Sequence, residues 1–497
     1  MKLFSARINN SFDIVLLFFI FILAIIAEYI APNQIGILIQ IIFLILFYRS
    51  KKNYLWLAFI FIIESSPGGL FYPDESFRGF SLYNSAVTGN LYFWMPFLAL
   101  SIFKTINIKV KYPRHFLSSF IILLGIYLVF LIASFGIYKW TAMLRGILPW
   151  TLLFVIPRML KNEEDYAKFF SLIFVFVSVV LITVLYKLTT SLDFVSVFGG
   201  GGNIAITAKK NVFQETFALR PTDGILIPFL SLLGATYFLI KKGSNSFNKK
   251  YLILIIGLSV LSIFLTATRS WLISSIFIVL TFTILISKNP LKIISYYVFP
   301  TIIIAAIILT IPAFNRQAQL AFQRYETIGL LLGGDITAGG TAMRFDVRAP
   351  RVMEKFYESP LFGFGYGDEA RAFSDGHVGH QNLLLHTGLV GYAIFLAMWL
   401  FFIFRMIITQ KRLKNKSEYY KTPLILITFF WGIHIINISV QWFNYLISFA
   451  NGLVLALLFS MANTVYWYAR FEEKRLKKKL KSETDKIPYE SSPALTL

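Results

Sequence analysis

The chain has 497 residues, of which 57% are hydrophobic, 17% aromatic and only 14% charged, with a formal net charge of +22 and no cysteine. That apolar content exceeds what a soluble domain uses to fill its core, so lipid is the expected solvent. The absence of cysteine excludes a disulfide framework, a thiolate metal site and a cysteine nucleophile.

Apolar runs bounded by charged or Gly/Pro-rich segments predict an all-α polytopic membrane protein of about 14 transmembrane helices, since roughly 20 helical residues cross about 30 Å of hydrocarbon. The first run, 14–31, follows Lys2 and Arg7. It exceeds a usual signal-peptide core and leads straight into a second run, so it is read as a retained helix. Runs at 35–48, 54–63, 87–103, 116–138, 142–157 and 166–188 follow, with Arg145 beside Gly146 at a helix end. The segment 189–223 is too long for a simple connection, contains Gly199 to Gly202 and closes on Arg220 before Pro221. Runs at 224–240, 251–268 and 270–287 come next. Between the last two, Thr266-Ala267-Thr268-Arg269-Ser270 leaves room only for a very tight hairpin, which puts Arg269 at a mouth of the bundle. Such an arginine either snorkels to headgroups or faces a ligand anion, and Arg145 and Arg220 carry the same two readings.

After a run at 293–312, the second long connection, 313–381, predicts a helix over 317–332, a loop over 333–340 and an interfacial helix over 344–357 opened by Arg344. Gly363, Gly365 and Gly367 have the spacing of a phosphate-binding loop but follow no strand. They are read as allowing a tight backbone path that places the next segment over the bundle. The stretch Asp375-Gly376-His377-Val378-Gly379-His380-Gln381-Asn382 holds two of the five histidines, and His386 follows within the next run. A general base, a metal site built from Asp375, His377 and His380, and polar capping of the next span are the open readings. Runs at 383–404, 424–441 and 446–468 complete the bundle. His434, Asn437 and Gln441 are read as interhelical hydrogen-bonding groups, and the charged tail from Glu472 as a mobile segment.

An even number of spans puts both termini on one side. If that side is the cytoplasm, inner segments hold 32 of the 47 Lys and Arg, as 24 Lys and 8 Arg, while outer segments hold 10 Arg and 5 Lys. The positive-inside rule is then obeyed, and the charge faces anionic lipid rather than nucleic acid. The outer preference for arginine suits a phosphorylated ligand, because a planar guanidinium grips phosphate oxygens with two parallel bonds where lysine offers a point charge.

Three groups of residues together resemble one family. Leu265-Thr266-Ala267-Thr268-Arg269-Ser270 is similar to the T-x-S-R-G element of the O-antigen ligase and O-antigen polymerase superfamily, departing from it at Thr268 and Ser270. Ser359-Pro360-Leu361-Phe362-Gly363-Phe364-Gly365 resembles its P-l-x-G-x-G. His380-Gln381-Asn382-Leu383 with Thr387-Gly388-Leu389-Val390-Gly391 resembles its H-N-x-x-L…x-x-G-l-x-G, with one extra residue between His and Asn. The match spans roughly 220–404. It implies a GT-C-like bundle with four parts: a transmembrane portion over 1–312, a large periplasmic loop with short helices over 313–382, three last spans over 383–468 and a basic cytoplasmic tail over 469–497. It also implies an inner-membrane protein with both termini cytoplasmic and the site facing the periplasm.

The implied activity is inverting transfer of an undecaprenyl-diphosphate-linked glycan to a sugar hydroxyl, as a polymerase or, alternatively, a ligase, without cofactor or metal. A chain-length regulator or a flippase is the implied protein partner. Carried over by residue, Arg269 matches the family's essential arginine, Arg220 an arginine before a span, Arg344 one opening the loop helix, and His380 the base, with His377 and Asn382 as secondary candidates; Arg220 and Arg344, with Arg145 from its own place at a helix end, are the expected diphosphate-binding residues. A flippase of the same lipid-linked glycan is the rival class. Transporters of this size tend to carry internal repeats, broken midplane helices and short loops, which is the reverse of the pattern read here.

Overall fold

The computed structural model describes residues 11–64, 81–83, 91–110, 148–190, 224–241, 246–286, 302–303, 306, 310–334, 344–365, 368–375, 378–413, 417–440 and 449–484. Among these the chain is helical, apart from one short antiparallel pairing of Ser81–Tyr83 with Leu91–Tyr92. Three helices are long and apolar enough to cross a membrane, Glu163–Thr190, Gly379–Arg412 and Gly452–Arg475, and six shorter apolar helices accompany them. The molecule is a helical membrane protein.

The N-terminal helices are α1 (Ser11–Ile25), which runs into a π-helical turn at Ile26–Ile30, then α2 (Asn33–Arg49), α3 (Asn53–Ile63) and α4 (Trp94–Thr105). The expected single run over 14–31 is therefore two pieces, and the run expected over 87–103 begins as strand at Leu91–Tyr92. After a 3-10 turn at Leu148–Thr151 come α5 (Leu152–Met159), shortened by Pro157, and α6 (Glu163–Thr190). Three carboxylates in the first turn of α6 suit the positive end of its dipole. Helices α7 (Leu226–Ile240), α8 (Lys249–Leu265) and α9 (Arg269–Ile286) follow, and the Asn248 side chain caps α8 by accepting from Lys250 N. Gly234 of α7 lets the Phe170 ring of α6 lie directly on the backbone, at 2.2 Å from where a Cβ would stand. The runs expected at 116–138 and over most of 293–312 lie outside the described residues.

Helix α10 (Pro312–Leu332) includes the helix expected over 317–332 and adds a turn before it. The expected interfacial helix is a π-helical turn at Arg344–Arg348 continuing into α11 (Ala349–Glu358), with Val352 and Phe356 buried. A short α12 (Asp368–Phe373) precedes α13 (Gly379–Arg412), and α14 (Thr422–Val440) and α15 (Phe449–Thr484) close the chain. Trp399 and Phe402 of α13, Phe430 of α14 and Phe459 of α15 interlock with ring centroids 4.0–4.7 Å apart across successive pairs. The tail read as mobile from Glu472 is instead helical to Thr484, steadied by Glu473 beside Arg412 and Arg470.

Charged groups form one connected layer at one end of the bundle. Asp13 binds Lys52 at 2.5 Å and accepts from Tyr54 at 2.6 Å, and Lys104 donates to Phe47 O and Ser50 O. Lys168 lies over Tyr54 and pairs with Glu164. Lys241 pairs with Glu163 and Glu418, Tyr419 donates to Glu163, and Lys421 donates to Leu285 O. Burial, then Tyr237 and Glu163 close by, hold the Tyr419 phenol well above its ordinary pKa, so it stays a donor.

Candidate functional site

The opposite end carries the residues singled out by chemistry. Helices α8 and α9 are joined by Thr266, Ala267 and Thr268 alone, with Ala267 at φ 50° in the left-handed region that a side chain rarely adopts. Thr268 O accepts from Leu272 N and starts α9, which sets Arg269 on its first turn. The last carbonyls of α8 are capped from α10, Gln317 donating to Leu265 O at 2.8 Å and Tyr325 to Phe264 O at 2.9 Å. The hairpin is thus as tight as its sequence required, and α10 holds it.

Helix α13 is not the continuous span expected over 383–404. It starts at Gly379 and breaks at Gly388, where φ is 63° and ψ −172°. A break inside apolar surroundings frees backbone groups that must find partners, and the glycine-rich loop supplies them. Phe364 N donates to Leu385 O at 2.8 Å and Gly365 N to His386 O at 2.9 Å, while Leu389 N donates to Pro360 O at 2.9 Å and Val390 N to Leu361 O at 3.1 Å. The loop turns through Gly363 and Gly365, both at positive φ. Its backbone lies so close that a Cβ on Gly388 would stand 2.3 Å from Leu361 O, and one on Gly363 2.6 Å from Leu385 O. His386 Nδ1 donates to Gly365 O, so this histidine is part of the clamp. The two motifs read as separate in sequence are one interlocked unit.

Around it, Lys355 of α11 pairs with Glu358 and Glu369 and lies 4.5 Å from the Phe364 ring and 5.3 Å from that of Phe373. Hydrogen bonds to the two glutamates hold Lys355 above its ordinary pKa. Val352 and Phe356 pack on Val378 and Leu385, which seats α11 on the first arm of α13. Buried Asn382 accepts from Asp375 N at 3.0 Å and donates to Asp375 O, so its amide is engaged in holding the loop. The Asp375 carboxylate faces two guanidinium groups, Arg348 at 3.4 Å and Arg351 at 3.9 Å.

The break brings His380 back against its own helix. Along a straight helix, positions 380 and 392 would be about 18 Å apart, farther than a histidine and a tyrosine side chain can bridge. His380 Nδ1 and Tyr392 Oη are 2.8 Å apart, so the arms 379–387 and 389–412 fold toward each other. The His434 ring of α14 lies 5.3 Å from that of His380 and 3.9 Å from Trp399. Helices α9 and α14 run antiparallel, Leu285 beside Lys421 and Ser274 and Ile278 against Gly432. Extended along both helices, this register puts Arg269 about one turn, roughly 6 Å, beyond the level of His434 and toward the same end.

Of the expected site residues, His380, Asn382 and Arg269 are therefore grouped at one end of α9, α13 and α14. Arg344 opens the π-helical turn beside α11, although its side chain is not among those described. Arg145, Arg220 and His377 lie outside the described residues. Tyr392 was missed in the sequence, and His434 was read only as an interhelical hydrogen-bonding group. Arg348 and Arg351 were also missed, although their spacing from Arg344 (i, i+4, i+7) is that of one helix face. No protein-family model matches the chain, and no curated protein matches it.

Proposed function

We propose that the protein is a membrane glycosyltransferase that moves a glycan from a polyprenyl diphosphate to a sugar hydroxyl, as a polymerase of surface polysaccharide. The end bearing Arg269 and His380 would face outward, and the lysine-rich layer inward. The observation that carries this reading is the convergence of three sequence-separated elements: the Arg269 hairpin, the 359–365 loop clamped onto Gly388, and His380 folded back to the level of His434. Arginine near a diphosphate neutralises the charge that grows on the leaving group, and a histidine within the same space can take the acceptor's proton. Under this orientation the end that carries the ion-paired layer of Lys52, Lys104, Lys241 and Lys421 lies on the side of the anionic lipid headgroups.

A flippase reading draws support from the break in α13, since broken helices are frequent in transporters. The decisive experiment is transfer of a purified polyprenyl-diphosphate-linked oligosaccharide in proteoliposomes. Product that is abolished in Arg269→Ala and reduced 100-fold or more, as an order of magnitude for a lost base, in His380→Ala supports the transferase. Movement of the lipid across the bilayer with no new glycosidic bond refutes it in favour of the flippase.

A further inference from the structure

We propose that Tyr392 is a positioning residue that fixes the tautomer of His380, with Nδ1–H donating to the phenol oxygen and Nε2 left as a bare lone pair. The inference rests on the transferase reading for its purpose and on geometry for its substance. Among the described residues Tyr392 is the sole hydrogen-bond partner of His380, and His380 of Tyr392. Their contact exists only because Gly388 breaks the helix. A neutral imidazole has one donor and one acceptor nitrogen, so the role taken by Nδ1 sets the opposite role at Nε2. A base that takes a proton at Nε2 needs a partner that accepts from Nδ1, and a phenol oxygen can do this while its own proton turns away.

The ring is also held in place. A half-turn about Cβ–Cγ would put a carbon where Nδ1 stands and lose the bond, and the edge of His434, itself braced on Trp399, backs His380 on the α14 side. Among the described residues the titratable side chains in contact with His380 are Tyr392 on its own helix and His434 on α14. In the transfer step, the acceptor oxygen attacks the anomeric carbon and its proton passes to Nε2. The bond from that carbon to the diphosphate oxygen breaks, and the diphosphate leaves with the electron pair. The resulting imidazolium keeps its Nδ1–H on Tyr392, which stabilises the charge where it forms.

The test uses full-length protein labelled with 15N-histidine in lipid nanodiscs, with His380 signals assigned by their loss in His380→Gln. His380 should show a protonated Nδ1 and a bare Nε2 when neutral, and Tyr392→Phe should shift it toward the Nε2–H form that free imidazole side chains favour. His386, locked in the Nδ1–H form by Gly365 O, should keep its signals in that variant and so report an intact fold. In proteoliposome transfer assays Tyr392→Phe should lower kcat about 10-fold with KM little changed, and move the acid limb of the pH profile. A wild-type His380 protonated at Nε2, or a tautomer unaltered in Tyr392→Phe, overturns the proposal. The expected tautomer together with full transfer by His380→Gln would leave the tautomer lock standing and overturn its catalytic purpose, which separates this inference from the functional reading.

Discussion

Replacing Gly388 with alanine should open the clamp between the 359–365 loop and α13. The added Cβ would stand 2.3 Å from Leu361 O, 2.4 Å from Leu361 C and 2.5 Å from Phe362 N, all backbone atoms that cannot swing aside. At φ 63° and ψ −172° the backbone lies in a region essentially confined to glycine, so an L side chain costs about 1–3 kcal/mol before any clash. Relieving the clash means moving the 359–365 strand of the loop away, which endangers the four backbone bonds that close the break, each contributing about 0.5–1.5 kcal/mol net. Losing two of them with the conformational cost totals about 3 kcal/mol, equivalent to a hundredfold change in the opening equilibrium. Hydrogen exchange in nanodiscs should therefore show protection of the amides of Phe364, Gly365, Leu389 and Val390 reduced about 100-fold, while amides in α7 keep theirs. Gly329→Ala is the control, because nothing lies within 4 Å of its Cβ position in α10, and there a better helix former should be neutral or stabilising. Unchanged protection of the four amides in Gly388→Ala would refute the clamp.

If Arg269 grips a diphosphate with two parallel bonds, Arg269→Lys keeps charge but loses the fork, so transfer should fall nearly as far as in Arg269→Ala; substantial rescue by lysine would reduce the site to a point charge. Lys241→Met strands Glu163 and Glu418 without their shared cation and should cost about 3 kcal/mol, read as a lower melting temperature that Glu163→Gln in the same chain partly restores. Asp375→Ala should cost less than about 1 kcal/mol, because its pairs with Arg348 and Arg351 are long and partly exposed, whereas Asn382→Ala leaves buried backbone groups of the loop unsatisfied and should cost more, about 2 kcal/mol. Lys355 has a folded pKa above 10.5, so its contribution is fully present below 10.5 and is lost as pH rises through the raised value. Exchange protection of the clamp amides should thus be flat across neutral pH in so far as Lys355 governs it, and a loss centred below pH 10 would contradict that pairing.

Much of the helical framework could be read from hydropathy because lipid demands long apolar helices. The 251–268 and 270–287 runs correspond to α8 and α9, and the single residue left between them forced the tight hairpin of 266–268 seen at Ala267. What stayed hidden depends on partners distant in sequence. Thr387-Gly388-Leu389-Val390-Gly391 has the composition of an ordinary span interior, and nothing local says that 359–365 will hydrogen-bond to it. The glycines were read as permitting a tight backbone path, which the positive φ of Gly363 and Gly365 bears out, but not what that path clamps. The fold-back that joins His380 to Tyr392 was hidden for the same reason, since helical periodicity puts those positions on well-separated turns. The tail's charges suggested a mobile segment, whereas ion pairs of Glu473 and the packing of Tyr468 against Tyr419 carry α15 onward.

The break in α13 also bears on the choice between moving a lipid and remaking its bond. In a transporter with discontinuous helices, the exposed ends of the half-helices bind the cargo: free N–H groups hold anions and free carbonyls hold cations. Here protein groups of the loop take two positions at each end. Leu385 O and His386 O accept from Phe364 and Gly365, and Leu389 N and Val390 N donate to Pro360 and Leu361. Those four groups are engaged with the loop, and the break also acts through its shape, turning the 379–387 arm so that His380 faces Tyr392 and His434. The arm 389–412 is about 36 Å long on its own, enough to cross the hydrocarbon core without the 379–387 segment. The segment that carries the histidine is thus free of any spanning duty. A fixed, backbone-clamped arm suits a catalytic group held in one geometry, and it is ill suited to the rocking motion that alternating access requires.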